Sequence, residues 1–337
     1  MRRGKKFIND PKEIVDQVTD GLVAASVGRT RRVGESTVIV RSALPEDKVG
    51  LLVGGGSGHE PLFSGFVGTN MADGAVAGNI FASPTPDQIL TGTRAVDGGK
   101  GVLYLYGNYA GDNMNFDIAA ELAADEGIQT KTVRIWDDVA SATVKNIEDR
   151  RGIAGDLLVI KAAGAAAARL DTLEEVFELT SRARDNTRSI GVAASAGTFP
   201  ETGLPTFEDL PPDEIELGMG VHGEPGVSRI KMPSADGLTD QMMERILVDL
   251  PFNGGDRVVM LINNLGSTTM TELLVVNRRA TQILEEQGIQ LHDTLMGAYC
   301  TSQEMAGFSI TLMRLDVQLQ EYYDLPAHSF GFVKGAF

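Results

Sequence analysis

The sequence predicts an α/β protein made of two related α/β domains, each a mixed sheet flanked by helices, over residues 1–186 and 187–337. Three observations carry that expectation. Short apolar runs of strand length alternate with amphipathic stretches of helix length along the whole chain. One plan, a strand followed by an Asn-containing glycine loop, a methionine and a helix, occurs after residues 101–106 and again after 257–262. Finally, 337 residues with 42% hydrophobic content suffice for two cores rather than one.

In chain order, residues 12–25 place Ile14, Val15, Val18, Leu22 and Val23 at the spacing of an amphipathic helix, with Pro11 in its first turn. Residues 36–41 alternate as a half-buried strand, and 49–53 form a buried one. Next come Gly54, Gly55, Gly56, Ser57, Gly58, His59, Glu60 and Pro61, read as a loop. Glycines there permit positive φ and close approach of a ligand to backbone N–H groups; a tight strand-to-helix turn accounts for them equally. Small residues dominate 64–83, and a helix is expected over 87–96. The apolar strand 101–106 enters Gly107, Asn108, Tyr109, Ala110, Gly111 and Asp112, with a helix over 117–124 and a strand over 131–136.

Residues 152–168 are rich in alanine and glycine, which lets helices approach closely, so a packing role is expected. A helix over 173–183 completes the first half. The second opens with a strand at 189–195 and a Pro/Gly-rich segment, 197–212. Val221, His222, Gly223, Glu224, Pro225 and Gly226 then form a second glycine-rich loop bearing a histidine. A helix over 239–250 precedes the strand 257–262. Setting Met114 against Met270 places Thr268 opposite Asp112, so that only the first copy of the repeated plan keeps the carboxylate.

Composition excludes several functions. A formal net charge of −16 and a pI near 4.7 disfavour nucleic acid and anionic membranes as partners. The one cysteine, Cys300, rules out an internal disulfide and suits a reducing cytoplasm. The basic start has no apolar segment of a secretory signal, no run reaches membrane-spanning length, and a cytoplasmic location is expected.

Of the four histidines, His59 and His222 lie in Gly-His-Glu-Pro and His-Gly-Glu-Pro contexts; His292 and His328 have no motif around them and are read as structural. Asp112 follows a strand directly, where it is either presented to a pocket or caps the next helix. The glycines fit neither G-x-G-x-x-G nor a P-loop, no zinc spacing occurs, and no carboxylate cluster for a nucleotide metal is legible.

Taken together, residues 54–61, Asn108 to Asp112 with Met114-Asn115-Phe116, residues 221–226, Asn263-Asn264-Leu265-Gly266 and residues 305–312 resemble the ketose-binding K subunit of the dihydroxyacetone kinase family, from about Phe7 to the C-terminus. The resemblance implies a cytoplasmic two-domain subunit, commonly a homodimer, that holds a short ketose covalently. The histidine matching His222 would add to the substrate carbonyl as a hemiaminal. Asp112 would take the proton of the terminal hydroxyl, His59 would assist, and Gly56 and Ser57 would orient the substrate hydroxyls. No cofactor is expected on this chain, since the family's Gly-Asp-Gly-Asp-Thr-Gly magnesium motif is missing. Mg-ATP, or Mg-ADP rephosphorylated by the sugar phosphotransferase system, is expected on a nucleotide-binding L-type partner. Gly107 stands where many members have lysine, which favours a four-carbon ketose such as erythrulose as an alternative substrate. A ketose-sensing paralogue controlling a transcription factor is a further alternative, disfavoured by the retention of His222, Asp112 and His59. A periplasmic sugar-binding protein conflicts with the absent signal.

Overall fold

A computed structural model describes residues 5–208 and 210–335. It contains two compact units, neither continuous in sequence. The first joins Ile8–Ile135 and Asp156–Asp185 to the chain from Val317 onward, and the second joins the chain up to Phe7 and Trp136–Gly155 to Asn186–Asp316. Compared with the expected division after residue 186, residues 136–155 fall in the second unit and the chain after Asp316 returns to the first.

The first unit opens with a 3-10 turn, Pro11–Glu13, capped by Asp10 and leading into α1 (Ile14–Ala25), which buries Val15, Thr19 and Leu22. There follow β1 (Thr30–Arg32), β2 (Val38–Arg41), β3 (Gly50–Ser57), β4 (Gly68–Thr69), β5 (Gly74–Ile80), α2 (Pro86–Val96), β6 (Val102–Gly107), α3 (Ala110–Asp125), β7 (Thr130–Ile135), α4 (Asp156–Ala167) and α5 (Leu173–Asp185). The main sheet runs β1-β2-β5-β3-β6-β7, antiparallel from β1 to β5 and parallel from β5 to β7. Strands buried on both faces need apolar residues at every position, which explains the unbroken Leu51, Leu52 and Val53. Val38, Val40, Leu52, Val76, Tyr104 and Phe116 centre the core, each fully buried side chain of this size contributing roughly 1.5–3 kcal/mol. Every residue of α4 is buried, and a Cβ on Gly164 would come 2.5 Å from the Met71 backbone, so its small residues serve close packing as expected.

In the second unit, β8 (Thr187–Ser195), β9 (Glu214–Leu217), β10 (Ser228–Lys231), α6 (Ala235–Asp249), β11 (Arg257–Asn264), α7 (Met270–Glu286), β12 (Gln290–Gly297) and β13 (Ala306–Leu315) build a sheet of order β10-β9-β8-β13-β11-β12. All its pairings are antiparallel except β11 with β12. Residues 136–155 join it for a specific reason. The buried Asp137 carboxylate accepts from the N–H groups of Ile153 at 2.8 Å and Gly155 at 2.9 Å, while Asp137 and Val139 exchange backbone hydrogen bonds with Ser189 on β8. After β13 the chain returns to the first unit as α8 (Val317–Asp324), β14 (Ala327–Ser329) and β15 (Val333–Lys334). There β14 pairs with β4, and Lys161 of α4 donates to the Tyr322 carbonyl at 2.8 Å.

The repeated plan holds at the level of topology. β6–α3–β7 and β11–α7–β12 each supply the last two strands of a six-stranded sheet, paired in parallel. Among the described residues no helix is long and apolar enough to cross a membrane.

Candidate active site

In the first unit, the parallel strands β3, β5 and β6 end at one edge of the sheet, the edge where open α/β sheets bind ligands. Gly54, Gly55 and Gly56 are not a loop, as the sequence suggested, but the second half of β3, and none of them has a positive φ. Space explains them. A Cβ on Gly55 would lie 2.4 Å from the Phe63 ring, and one on Gly56 would lie 2.7 Å from the Ala82 nitrogen. These glycines admit the protein's own chain, and only Gly58, at φ +100°, turns the backbone out of the strand.

That turn delivers His59 into a buried position, 4% exposed, with its ring centroid 4.8 Å from that of Phe81 and tilted by 30°. Phe81 follows β5 immediately and has φ +56°; Phe63, against Gly55, has φ +60°. Bulky residues rarely adopt this region, and such strain collects at functional sites. The Ser57 hydroxyl donates to the Gly78 carbonyl at 2.7 Å, so toward a ligand it can act only as an acceptor. Glu60 accepts the Gly58 N–H at 3.0 and 3.1 Å, and burial pushes its carboxyl above the usual range.

Asp112 stands after β6, neither in a loop nor at a cap. Tyr109 is the N-cap of α3, and Asp112 is its third helical residue, 9% exposed. The helix N-terminus favours its negative charge. Burial raises the nearby Tyr106 hydroxyl to about 12; Arg134, donating to it at 3.3 Å, opposes this, and the Asp112 charge adds to it.

His222 belongs to the second unit, in the connection between β9 and β10. Its Nδ1 lies 2.8 Å from Glu224 Oε1, and its backbone N–H donates to Glu224 Oε2 at 2.9 Å. Burial alone would raise the Glu224 carboxyl, but the hydrogen bond and charge of His222, with the backbone donors of both residues, bring it down to about 2. A carboxylate accepts only, so Nδ1 carries a proton, and in the neutral form of the ring Nε2 is the nitrogen that bears the lone pair.

The fold thus gathers Gly56, Ser57, His59 and Asp112 on one strand edge of the first unit and sets His222 on a hairpin connection of the second. His292 and His328 sit within β12 and β14. Two residues escaped the sequence reading. Glu224 had a signal, a carboxylate two residues from a histidine in a repeated motif. Phe81 had none, because its positive φ falls on a bulky residue that does not signal that conformation in the sequence. Among the described residues, no group of three or more His, Cys, Asp or Glu side chains could hold a metal ion.

Residues 20–331 match the Dak1 domain. The chain is 46% identical over 325 residues to the dihydroxyacetone-binding subunit DhaK of PTS-dependent dihydroxyacetone kinase 2 from Listeria innocua, covering 96% of this chain and 97% of that protein. It is 40% identical to L-erythrulose kinase of Pectobacterium atrosepticum, over 98% of this chain and 56% of that longer protein. Among solved structures, the dihydroxyacetone kinase operon co-activator Dha-DhaQ superposes with a TM-score of 0.89 at 29% identity, covering 97% of this chain and all of that one.

Proposed function

The chain belongs to the Dak1 domain family, and on that premise we propose that it is the ketose-binding subunit of a dihydroxyacetone-type kinase. It holds a short ketose while a separate nucleotide-carrying subunit phosphorylates a terminal hydroxyl. The observation that carries this reading is the hydrogen bond from His222 Nδ1 to Glu224, which leaves Nε2 as the nucleophile.

The chemistry follows from that tautomer. Nε2 attacks the ketose carbonyl carbon, a C–N bond forms, and the carbonyl π pair moves onto oxygen, which gains a proton. Positive charge grows on the ring, where the ionised Glu224 faces it through Nδ1–H. Loss of the Nδ1 proton balances the one gained by oxygen and gives a neutral hemiaminal. Glycerol and other polyols offer no carbonyl and are refused by reactivity.

Asp112 then accepts the proton of the terminal hydroxyl as that oxygen attacks phosphorus, with His59 assisting by hydrogen bonding. The Gly56 backbone and the Ser57 oxygen orient the substrate hydroxyls, Ser57 as an acceptor because its proton is held by Gly78. The Mg-nucleotide resides on the L-type partner, either as ATP or as ADP rephosphorylated by a phosphotransferase system, and the subunit works as a cytoplasmic homodimer. A four-carbon ketose is the second reading for the substrate. It is favoured by Gly107, which ends β6 with no side chain, and by the similarity to an erythrulose kinase.

The test is reconstitution of the chain with an L-type partner and phosphoryl donor across three- to five-carbon ketoses. Turnover of at least one, and none without the partner, is expected. Adduct formation without turnover by any donor, together with binding to a DNA-binding protein, would instead make the chain a sensor like the co-activator; 46% identity to a kinase subunit against 29% to the co-activator favours the enzyme.

A further inference from the structure

The tautomer of His222 depends on where the Glu224 carboxylate is held, and Gly220 and Arg151 of the second unit lie beside that carboxylate. Asp138, 1% exposed, accepts from Arg151 through Oδ2, at 3.0 Å from Nε and 2.7 Å from Nη2, and its Oδ1 accepts the Ala140 N–H at 3.0 Å. The same Nη2 donates to the Gly218 carbonyl at 3.0 Å, at the root of the connection that carries His222. The remaining arm of the guanidinium points further along that connection. A Cβ built on Gly220 would stand 2.6 Å from Arg151 Nη1 and 2.2 Å from Glu224 Oε2. Gly220 has no positive φ, so its conformation does not call for glycine. What does is the space between Arg151 Nη1 and Glu224 Oε2, which a Cβ on Gly220 would fill.

We infer that Asp138, Arg151 and Gly220 are positioning residues for the nucleophile: Asp138 anchors Arg151, Arg151 steadies the Glu224 carboxylate across the space left by Gly220, and Glu224 holds the Nδ1 proton of His222. This rests on the proposed role of His222 and adds to it a chain of control running from the 136–155 segment into the His222 connection. A fork-shaped guanidinium suits the task because one arm can bind a carboxylate and a carbonyl while another faces a second carboxylate. Removing Arg151 would leave the buried Asp138 carboxylate without its guanidinium partner.

Gly220→Ala is the sharpest probe, because alanine tolerates the backbone there and adds one methyl group to the gap. In the intact chain, histidine nitrogen NMR should find His222 as the Nδ1–H tautomer. Titration with carbonyl-13C dihydroxyacetone should convert the ketone signal into that of a tetrahedral carbon. Gly220→Ala should lose the single tautomer and weaken the adduct roughly tenfold to a hundredfold, by analogy with the loss when the partner that orients a metal-bound histidine is removed. Arg151→Met should act in the same direction, and Arg151→Lys should recover part of the loss. Should Arg151→Met fail to fold, Arg151→Lys takes its place, because the methyl group of Gly220→Ala also presses on Glu224 Oε2 directly. If Gly220→Ala keeps both the tautomer and the adduct constant within twofold, the inference is overturned. Absence of any adduct in the unaltered chain would overturn the functional reading instead, and the tautomer measurement would still judge the relay.

Discussion

The segments β6–α3 and β11–α7 occupy equivalent places in their sheets and differ in what they do with one carboxylate. Each helix has an acidic residue at its third position, Asp112 in α3 and Glu272 in α7. In α7 the N-cap is Thr269, and the pair closes a capping box: the Thr269 N–H donates to Glu272 Oε2 at 2.8 Å, and the Glu272 N–H donates back to Thr269 Oγ1 at 3.4 Å. In α3 the N-cap is Tyr109, which makes no side-chain cap. Capping boxes also start α2, between Thr85 and Gln88, and α5, between Thr172 and Glu175. Against these, α3 departs from the rule at the residue proposed to do proton transfer, and local rules commonly give way at such sites.

Helix position also corrects the match drawn from the methionines. Thr268 is not the counterpart of Asp112; it lies in a longer connection and ties that connection to β13, donating to the Gly307 carbonyl at 2.6 Å and accepting the Gly307 N–H at 2.9 Å. The counterpart is Glu272, so the second copy keeps its carboxylate but uses it to begin a helix.

The largest effect that tests this contrast is on turnover. Asp112→Asn should lower the rate of ketose phosphorylation by about 10²–10⁴, the usual worth of a positioned base. The same change should leave the ketose adduct intact. If the adduct disappears with turnover, Asp112 binds rather than catalyses. Next in size is Tyr109→Thr, which offers α3 the cap that α7 has. Drawing Asp112 into a capping box should stabilise the protein by roughly 0.5–1 kcal/mol and cut turnover about tenfold. Greater stability with undiminished turnover would mean that the missing cap has no bearing on catalysis.

Much of this was legible in the sequence, and the part that was not has definable causes. Alternation of apolar runs gave the strands and helices because buried strands and amphipathic helices have different periods. The paired Gly/His/Glu/Pro motifs and Asp112 were visible as motifs. The glycines of β3 were misread as a loop because what excludes a Cβ there, Phe63 and Ala82, is remote in sequence or folded back by a turn. The interleaving of the two units was hidden for a similar reason: Asp137 is committed to Ile153, Gly155 and Ser189 only once the chain has folded. Asp112 could not be placed because helix α3 begins earlier than its apolar pattern does, at Ala110 rather than residue 117.

A third effect reverses the first. Glu272→Ala should cost about 1 kcal/mol through loss of the capping box, read as a shift in the urea midpoint, while phosphorylation is unchanged. Loss of turnover there would mean that the two acidic residues are not divided between structure and chemistry.

The smallest effect is the pH dependence of that cost. Hydrogen bonds from the Thr269 side chain and backbone hold the Glu272 carboxyl below its ordinary value of 4.5. A carboxyl whose pKa is lower folded than unfolded adds stability that is fully present above the unfolded value and lost as pH falls through the folded one. The difference in urea midpoint between the unaltered chain and Glu272→Gln should therefore be level from neutral pH down to about 5.5 and shrink below 4.5. A difference that stays constant into acid would mean that the protonated carboxyl caps α7 as well as the ionised one, in which case charge is not what separates Glu272 from Asp112 and the contrast rests on the N-cap residues alone.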